Sequence, residues 1–314
     1  MVMLSRTAEN LYWTGRYIER AENLARVLDV SYRNALLDLP GSSAESEWRD
    51  ALASLGSPPQ FALRKQKLDE GDITRFFTVD TESPCSIKFC VHAARENARA
   101  LRAVISTEMW ESINTTWLTL RDLDETGLRA RGLREFLDWV KDRSHLFRGV
   151  SHSTTLHNDA FHFLRLGTFL ERAESTVRLL DTKYQALAGM DAEAAGTIYY
   201  AWGAVLRQAS AFRAYHQTYH DVITPQRVAE LLLLRPEMPR SLRFCANQVV
   251  EHLDHLAGTR DLEAQRLAGE LHARLRFARI DHVLSRGLHD FLAELIRRLA
   301  ELSAQMAQDF LMTV

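Results

Sequence analysis

Two adjacent acid–base pairs, Glu19-Arg20 and Glu171-Arg172, are the residues of this chain best suited to chemistry. Each sits in a Glu-Arg-Ala-Glu stretch. Arg16, Glu22 and Arg26 surround the first pair, and Glu174 and Arg178 surround the second. A carboxylate of such a pair can serve as a general base while the guanidinium steadies developing negative charge. The same groups can instead clamp an amino acid or peptide through bidentate hydrogen bonds. Glu19, Arg20, Glu171 and Arg172 are therefore the candidate catalytic residues. Arg16, Glu22, Arg26, Glu174 and Arg178 are the candidate substrate contacts.

The elements that position these groups must be helices. Around the first pair, Leu11, Gly15, Ile18, Ala25, Leu28 and Tyr32 recur at helical spacing with no proline between them. This predicts a helix from about residue 6 to about residue 37, stopped by Pro40-Gly41. Its counterpart runs from about 158 to about 188. Trp13, Tyr17, Leu24 and Val27 add a second apolar side, so the helix is expected to be buried. Buried charges need partners. Glu22 can reach Arg26, and Arg26 can reach Asp29, within one turn; Glu174, Arg178 and Asp181 repeat that chain. Arg20, Arg172 and Glu171 have no opposite charge at those positions, and Glu19 has only Arg16. Two arrangements satisfy them. In one, the two helices pack together and Glu19 and Arg20 pair with Arg172 and Glu171. In the other, the pairs face a cleft and hold a charged or amide-bearing ligand.

The likeness between the two helices extends along the chain. Gly15 to Asp29 matches Gly167 to Asp181, Trp48 to Leu52 matches Trp202 to Leu206, and Pro84 to Cys90 matches Pro239 to Cys245. Gly132 to Leu137 matches Gly287 to Leu292 at nearly the same offset. Two homologous halves, 1–150 and 151–314, are expected. Each half begins with a long helix. Further helices start near 44, 73, 85 and 132 in the first half, and near 192, 225, 240 and 287 in the second. Ser83-Pro84 and Thr224-Pro225 read as helix starts, and Gly258 as a stop. Residues 54–71, with Pro58-Pro59, read as loop, whereas the second half is expected to carry a continuous helix toward His220. Ile73 to Val79 is the one stretch that also suits a strand. The fold class is all-α: one interleaved helical bundle of two tandem halves about a pseudo-twofold axis.

Composition narrows the function classes. With 314 residues, 46% hydrophobic and 25% charged, the chain has a globular mix. A net charge of −2 and no basic arm argue against a nucleic-acid partner. No apolar run approaches a membrane span, and Met1 to Arg6 lacks the apolar core of a signal peptide. Three cysteines, Cys85, Cys90 and Cys245, in no metal-ligand spacing suggest reduced thiols and a cytoplasmic location. There is no phosphate-binding loop, dinucleotide fingerprint or serine-hydrolase elbow. The six tryptophans are expected in the core.

Histidines are the other chemical candidates. His145, His152, His157 and His162 lie near Asp142 and Asp159, but no Glu-x-x-His occurs, so a di-iron site is not expected. His216 and His220, or the stretch Glu251-His252-Leu253-Asp254-His255, have helical chelate spacing without the glutamate of a zinc peptidase. No metal site is assigned.

Leu4-Ser5-Arg6, Ala8 to Trp13, Gly15-Arg16-Tyr17 and Glu19 to Glu22 resemble the bacterial alpha-E family, all-helical and named for its Glu-Arg motif. Phe163 to Gly167 with Glu171-Arg172-Ala173 looks like its second motif. The resemblance implies association with a circularly permuted ATP-grasp amide ligase, often accompanied by a transglutaminase-like peptidase. ATP and magnesium would then sit on the ligase, with no cofactor in this chain. The expected function is that of a helical substrate-binding and assembly partner in making or modifying a peptide or amino-acid amide. The alternative is an all-α enzyme, a transferase or hydrolase, acting itself on an amide-linked substrate.

Overall fold

The computed structural model describes residues 4–37, 43–56, 70–190 and 195–311, and all their regular elements are helical. The two motif helices are the long ones, α1 (Ser5–Ala35) and α8 (Asp159–Ala186). Between them lie α2 (Ala44–Ser54), α3 (Glu70–Thr78), α4 (Ile87–Ala100), α5 (Thr107–Leu120), α6 (Glu125–Arg131) and α7 (Leu133–Thr154). After α8 come α9 (Ala195–Gln208), α10 (Phe212–Tyr219), α11 (Pro225–Leu234) and α12 (Leu242–Ala257). The chain ends with α13 (Glu263–Phe277), α14 (Ile280–Ser285), α15 (Leu288–Met306) and a π-helical turn, Ala307–Leu311.

α1 and α8 lie against each other at the centre. α4 and α7 flank α1, while α12 and α15 flank α8. The two central helices run parallel, because their contacts advance together: Tyr12 with Gly167, Glu19 with Arg172, Asn23 with Ser175. The close approach requires glycine. A Cβ on Gly15 would collide with the carbonyl oxygen of Leu164, and one on Gly167 with that of Tyr12. Trp48 and Phe136 pack with Leu24 and Leu28 on one side. Trp202, Phe169 and Leu292 pack into a larger cluster on the other.

Several local expectations are corrected. The segment that also suited a strand is α3. Cap chemistry places the start of α4 at Ser86 rather than Ser83, since Ser86 Oγ accepts the amide of Phe89 at 3.0 Å. Ser241 caps α12 in the same way through Phe244. Thr224-Pro225 and Gly258 behave as read from sequence. The helix toward His220 is not continuous. α9 stops at Gln208, Ser210 takes a left-handed φ of 51°, and α10 begins at Phe212. Arg26 holds the Ser210 hydroxyl at that break. Most of the loop-prone span, residues 57–69, lies outside the described residues, as do Pro40-Gly41.

Candidate functional site: the charged seam between the central helices

The two Glu-Arg pairs meet across the seam. Arg172 donates through Nε to Glu19 Oε1 and through Nη2 to Oε2, both at 2.9 Å. Arg20 grips Glu171 in the same two-pronged way, at 2.7 and 2.9 Å. At the end of the contact Asn23 donates to Ser175 Oγ at 2.9 Å. Helical geometry explains the exchange. Neighbouring residues on a helix point about 100° apart, so Glu19 and Arg20 lie on either side of the line of contact and each meets its mate on the facing helix.

Around Glu19 the packing is closed. Glu19 and Glu22 are each 0% exposed. Arg240, just before α12, reaches Glu19 at 3.1 Å, Glu22 at 2.7 Å and the Asn23 carbonyl oxygen at 2.8 Å. From α7, Arg148 pairs with Glu19 at 2.9 Å and also with Glu22, while Ser144 donates to Glu22 at 2.9 Å. Arg26 completes the set against Glu22 at 2.7 Å and contacts His145 at 3.1 Å. Two carboxylates thus hold four guanidinium groups. A fifth, Arg165, lies over the Phe169 ring at 4.6 Å with its Nε unpartnered. Burial, then the charges of Arg172 and Arg148, pull Arg165 down to about 10. The void beside Glu19 is about 10 Å³, at the lower limit for one water.

Around Glu171 the packing is looser. Arg16 donates to Glu171 at 2.7 Å and to Glu174 at 2.6 Å, and Arg178 reaches Glu174 at 3.0 Å. Here two carboxylates hold three guanidinium groups. The Arg20 and Arg178 side chains are 28% and 38% exposed. Both border a cavity of about 230 Å³ between α1, α2, α8 and α9. Its walls combine these cations and Glu171 with the polar Asn23, Ser175 and Gln208 and the apolar Leu24, Val27 and Leu179. Cys85 and Arg240 line it too, and Gly56, at φ 66°, lies beside the Arg178 guanidinium. A second cavity, about 520 Å³, lies between α1 and α15, bordered by Trp13, Arg16, Glu174 and Ser303.

Both carboxylates of the central pairs stay ionised. Burial pushes Glu19 up, but Arg172 and Arg240 outweigh it and hold the carboxyl near 2, below its usual 4.5. Burial likewise raises Glu171, and Arg16 and Arg20 bring it to about 2. The local chains read from spacing are half right. Glu22–Arg26 and Glu174–Arg178 form, but Asp29 turns to Arg33 and Lys141, and Asp181 turns to His289 at 2.6 Å. Arg148, Arg240 and Gln208 are not marked by the motif spacing because they come from segments distant in sequence: α7, the turn before α12, and α9. Arg240 alone left a trace, as the residue matched to Cys85 in the aligned segments.

The histidines divide. His162 and His252 meet at 2.9 Å through their Nδ1 atoms, one necessarily donating, and His255 stacks on His162. His145 lies at the seam, and His216 packs on Phe212. Among the described residues no three His, Cys, Asp or Glu side chains are placed to hold a metal ion. No helix of the described residues is long and apolar enough to cross a membrane.

Comparison with known proteins adds a family. The chain is 25% identical over 322 residues to an uncharacterized protein of Mycobacterium bovis and to one of Mycobacterium tuberculosis H37Rv, an alignment covering 93% of this chain. It spans about a third, 35%, of the length of those relatives. No solved structure matches. Residues 3–311 match the model of Alpha-E, described as a predicted alpha-helical domain with a conserved ER motif. With its Glu-Arg pairs interlocked at the centre of an all-helical fold, the chain belongs to the Alpha-E family.

Proposed function

We propose that this protein is a helical substrate-binding and assembly partner of an ATP-grasp amide ligase, acting in the cytoplasm on a peptide or amino-acid substrate. The observation that carries the reading is the cavity of about 230 Å³ at the Glu171 centre, where Arg20 and Arg178 remain partly exposed beside a surplus of positive charge. A ligase working through an acyl-phosphate needs its substrate oriented and shielded from water, and a rigid partner with a charged recess supplies both. In this reading ATP and magnesium belong to the ligase, and a transglutaminase-like peptidase is a further partner. The two halves are descendants of one ancestral unit folded about a pseudo-twofold axis along the seam. The reciprocal grips of Arg20 on Glu171 and Arg172 on Glu19 support that origin.

Glu19, Glu22 and Arg172 then act as the frame of the site, and Arg20 and Arg178 as its contacts. The alternative, catalysis by the bundle itself, would use Glu171 as base, since that carboxylate borders the cavity. A carboxyl near 2 is a weak proton acceptor at neutral pH, which favours binding over proton transfer. The test is turnover by the cognate ATP-grasp ligase with and without this protein. Copurification and a rate increase of tenfold or more are expected, and unchanged turnover would reject the partnership.

A further inference from the structure

The geometry points to the Arg20–Arg178 cavity as a receptor for the C-terminal carboxylate of a peptide whose last residue is small to medium and apolar. This rests on reading that cavity as the substrate-holding site, and it names the part of the substrate held.

Three features select this ligand. The first is charge. Arg20, Arg178 and Arg240 line the cavity against one lining carboxylate, Glu171, while their other partners, Glu174, Glu19 and Glu22, lie behind the wall. Such a wall favours an anion, and a free amino acid brings an ammonium of the wrong sign. The second is hydrogen bonding. Gln208 lines the cavity at 9% exposure, and its Oε1 has no partner among the described residues. With the Ser175 hydroxyl beside it, the wall offers a match for the last peptide group, since either orientation of the Gln208 amide is open to rearrangement. The third is size and polarity. About 230 Å³, open on one side, suits one residue rather than a folded segment, and Leu24, Val27 and Leu179 give its side chain an apolar wall.

The experiment is calorimetric titration of the full chain with N-acetyl-L-leucine, N-acetyl-L-leucinamide, L-leucine and inorganic phosphate. N-acetyl-L-leucine is expected to bind saturably at one site, at least tenfold more tightly than each of the others. Arg178→Gln and Gln208→Glu, the latter placing a like charge beside the carboxylate, are each expected to weaken it tenfold or more. Circular dichroism checks that both variants fold. Equal binding of the amide, equal or tighter binding of phosphate, or unaltered binding in both folded variants would overturn the assignment. Saturable acetyl-leucine binding with no effect on ligase turnover would instead leave this site standing and reject the partnership.

Discussion

Around Glu19 the cations and carboxylates close on one another, whereas around Glu171 the same residue types leave room. The contrast is traceable to single positions. Arg240 spans Glu19, Glu22 and Asn23, while the residue matched to it in the aligned segments, Cys85, has no charge and a short reach. Arg26 is tied to Glu22, Ser210 and His145; its match, Arg178, has Glu174 and an open side. One Glu-Arg-Ala-Glu stretch is closed in and the other borders a recess. Identical motifs therefore do not pack identically; the residues contributed by the flanking segments decide.

Removal of each central carboxylate should have the largest effect. Glu19→Gln leaves Arg148, Arg172 and Arg240 without their shared anion in a closed site. A loss of about 3–5 kcal/mol is expected in urea unfolding, the range for breaking a buried pair. Glu171→Gln is expected to cost about half as much, because Arg20 is already partly exposed and can turn toward the open side of the cavity. Equal losses would mean that the open side contributes no relief.

The glycine crossing supplies the matched control. Gly15→Ala and Gly167→Ala each drive a Cβ into a backbone carbonyl of the other helix, which no side-chain rotation relieves. Each is expected to cost about 3 kcal/mol, at the upper end for overpacking. Here the two sides should agree, since backbone meets backbone in both. A clear inequality would show that the central helices are not equivalently packed at the crossing.

Acid should separate the charged seam from the histidine pair. Burial, reinforced by neighbouring positive charge, keeps His162 near 4 and His252 near 3, below the ordinary 6.5. The unfolded chain takes up these protons first, so stability begins to fall as pH drops below 6.5. The glutamates follow. Held near 2 against 4.5, Glu19 and Glu171 stabilise fully above 4.5 and lose that contribution as pH falls from 4.5 toward 2. The shift corresponds to on the order of 3 kcal/mol at the closed Glu19, and to less at Glu171, where solvent at Arg20 screens the pair. Urea midpoints measured against pH should decline in these two stages, and His252→Leu should shrink the upper one alone.

Much of this was legible in residue order. The period of Leu11, Gly15, Ile18 and Leu28 gives the central helix, and the absence of in-helix partners for Arg20 and Arg172 points to exchange across a seam. Residue order alone allows the pairs to meet either each other or a ligand. The structure has them meet, and puts the cavity beside one of them. α5, α6, α13 and α14 were missed because no repeated segment marked them. The break at Ser210 was missed because serine seldom takes a left-handed backbone, and the hydroxyl contact from Arg26 that accompanies it is distant in sequence. Arg148 was invisible for the same reason: its partners lie on another helix.

Arg26 and Arg178 occupy matched positions, and each has a glutamate one turn earlier. Removing Arg26 also frees the Ser210 hydroxyl and takes a cation from the fully buried Glu22. Arg26→Gln should therefore destabilise by about 1–3 kcal/mol, the cost of leaving buried polar groups unsatisfied. Arg178→Gln removes a half-exposed cation from a carboxylate that Arg16 still holds. Its expected cost is within about 0.5 kcal/mol, as for a surface pair. A cost that small would leave Arg178 free to meet the ligand proposed for the cavity. If Arg178→Gln proves as destabilising as Arg26→Gln, the recess is a second scaffold, and the functional asymmetry of the two motifs disappears.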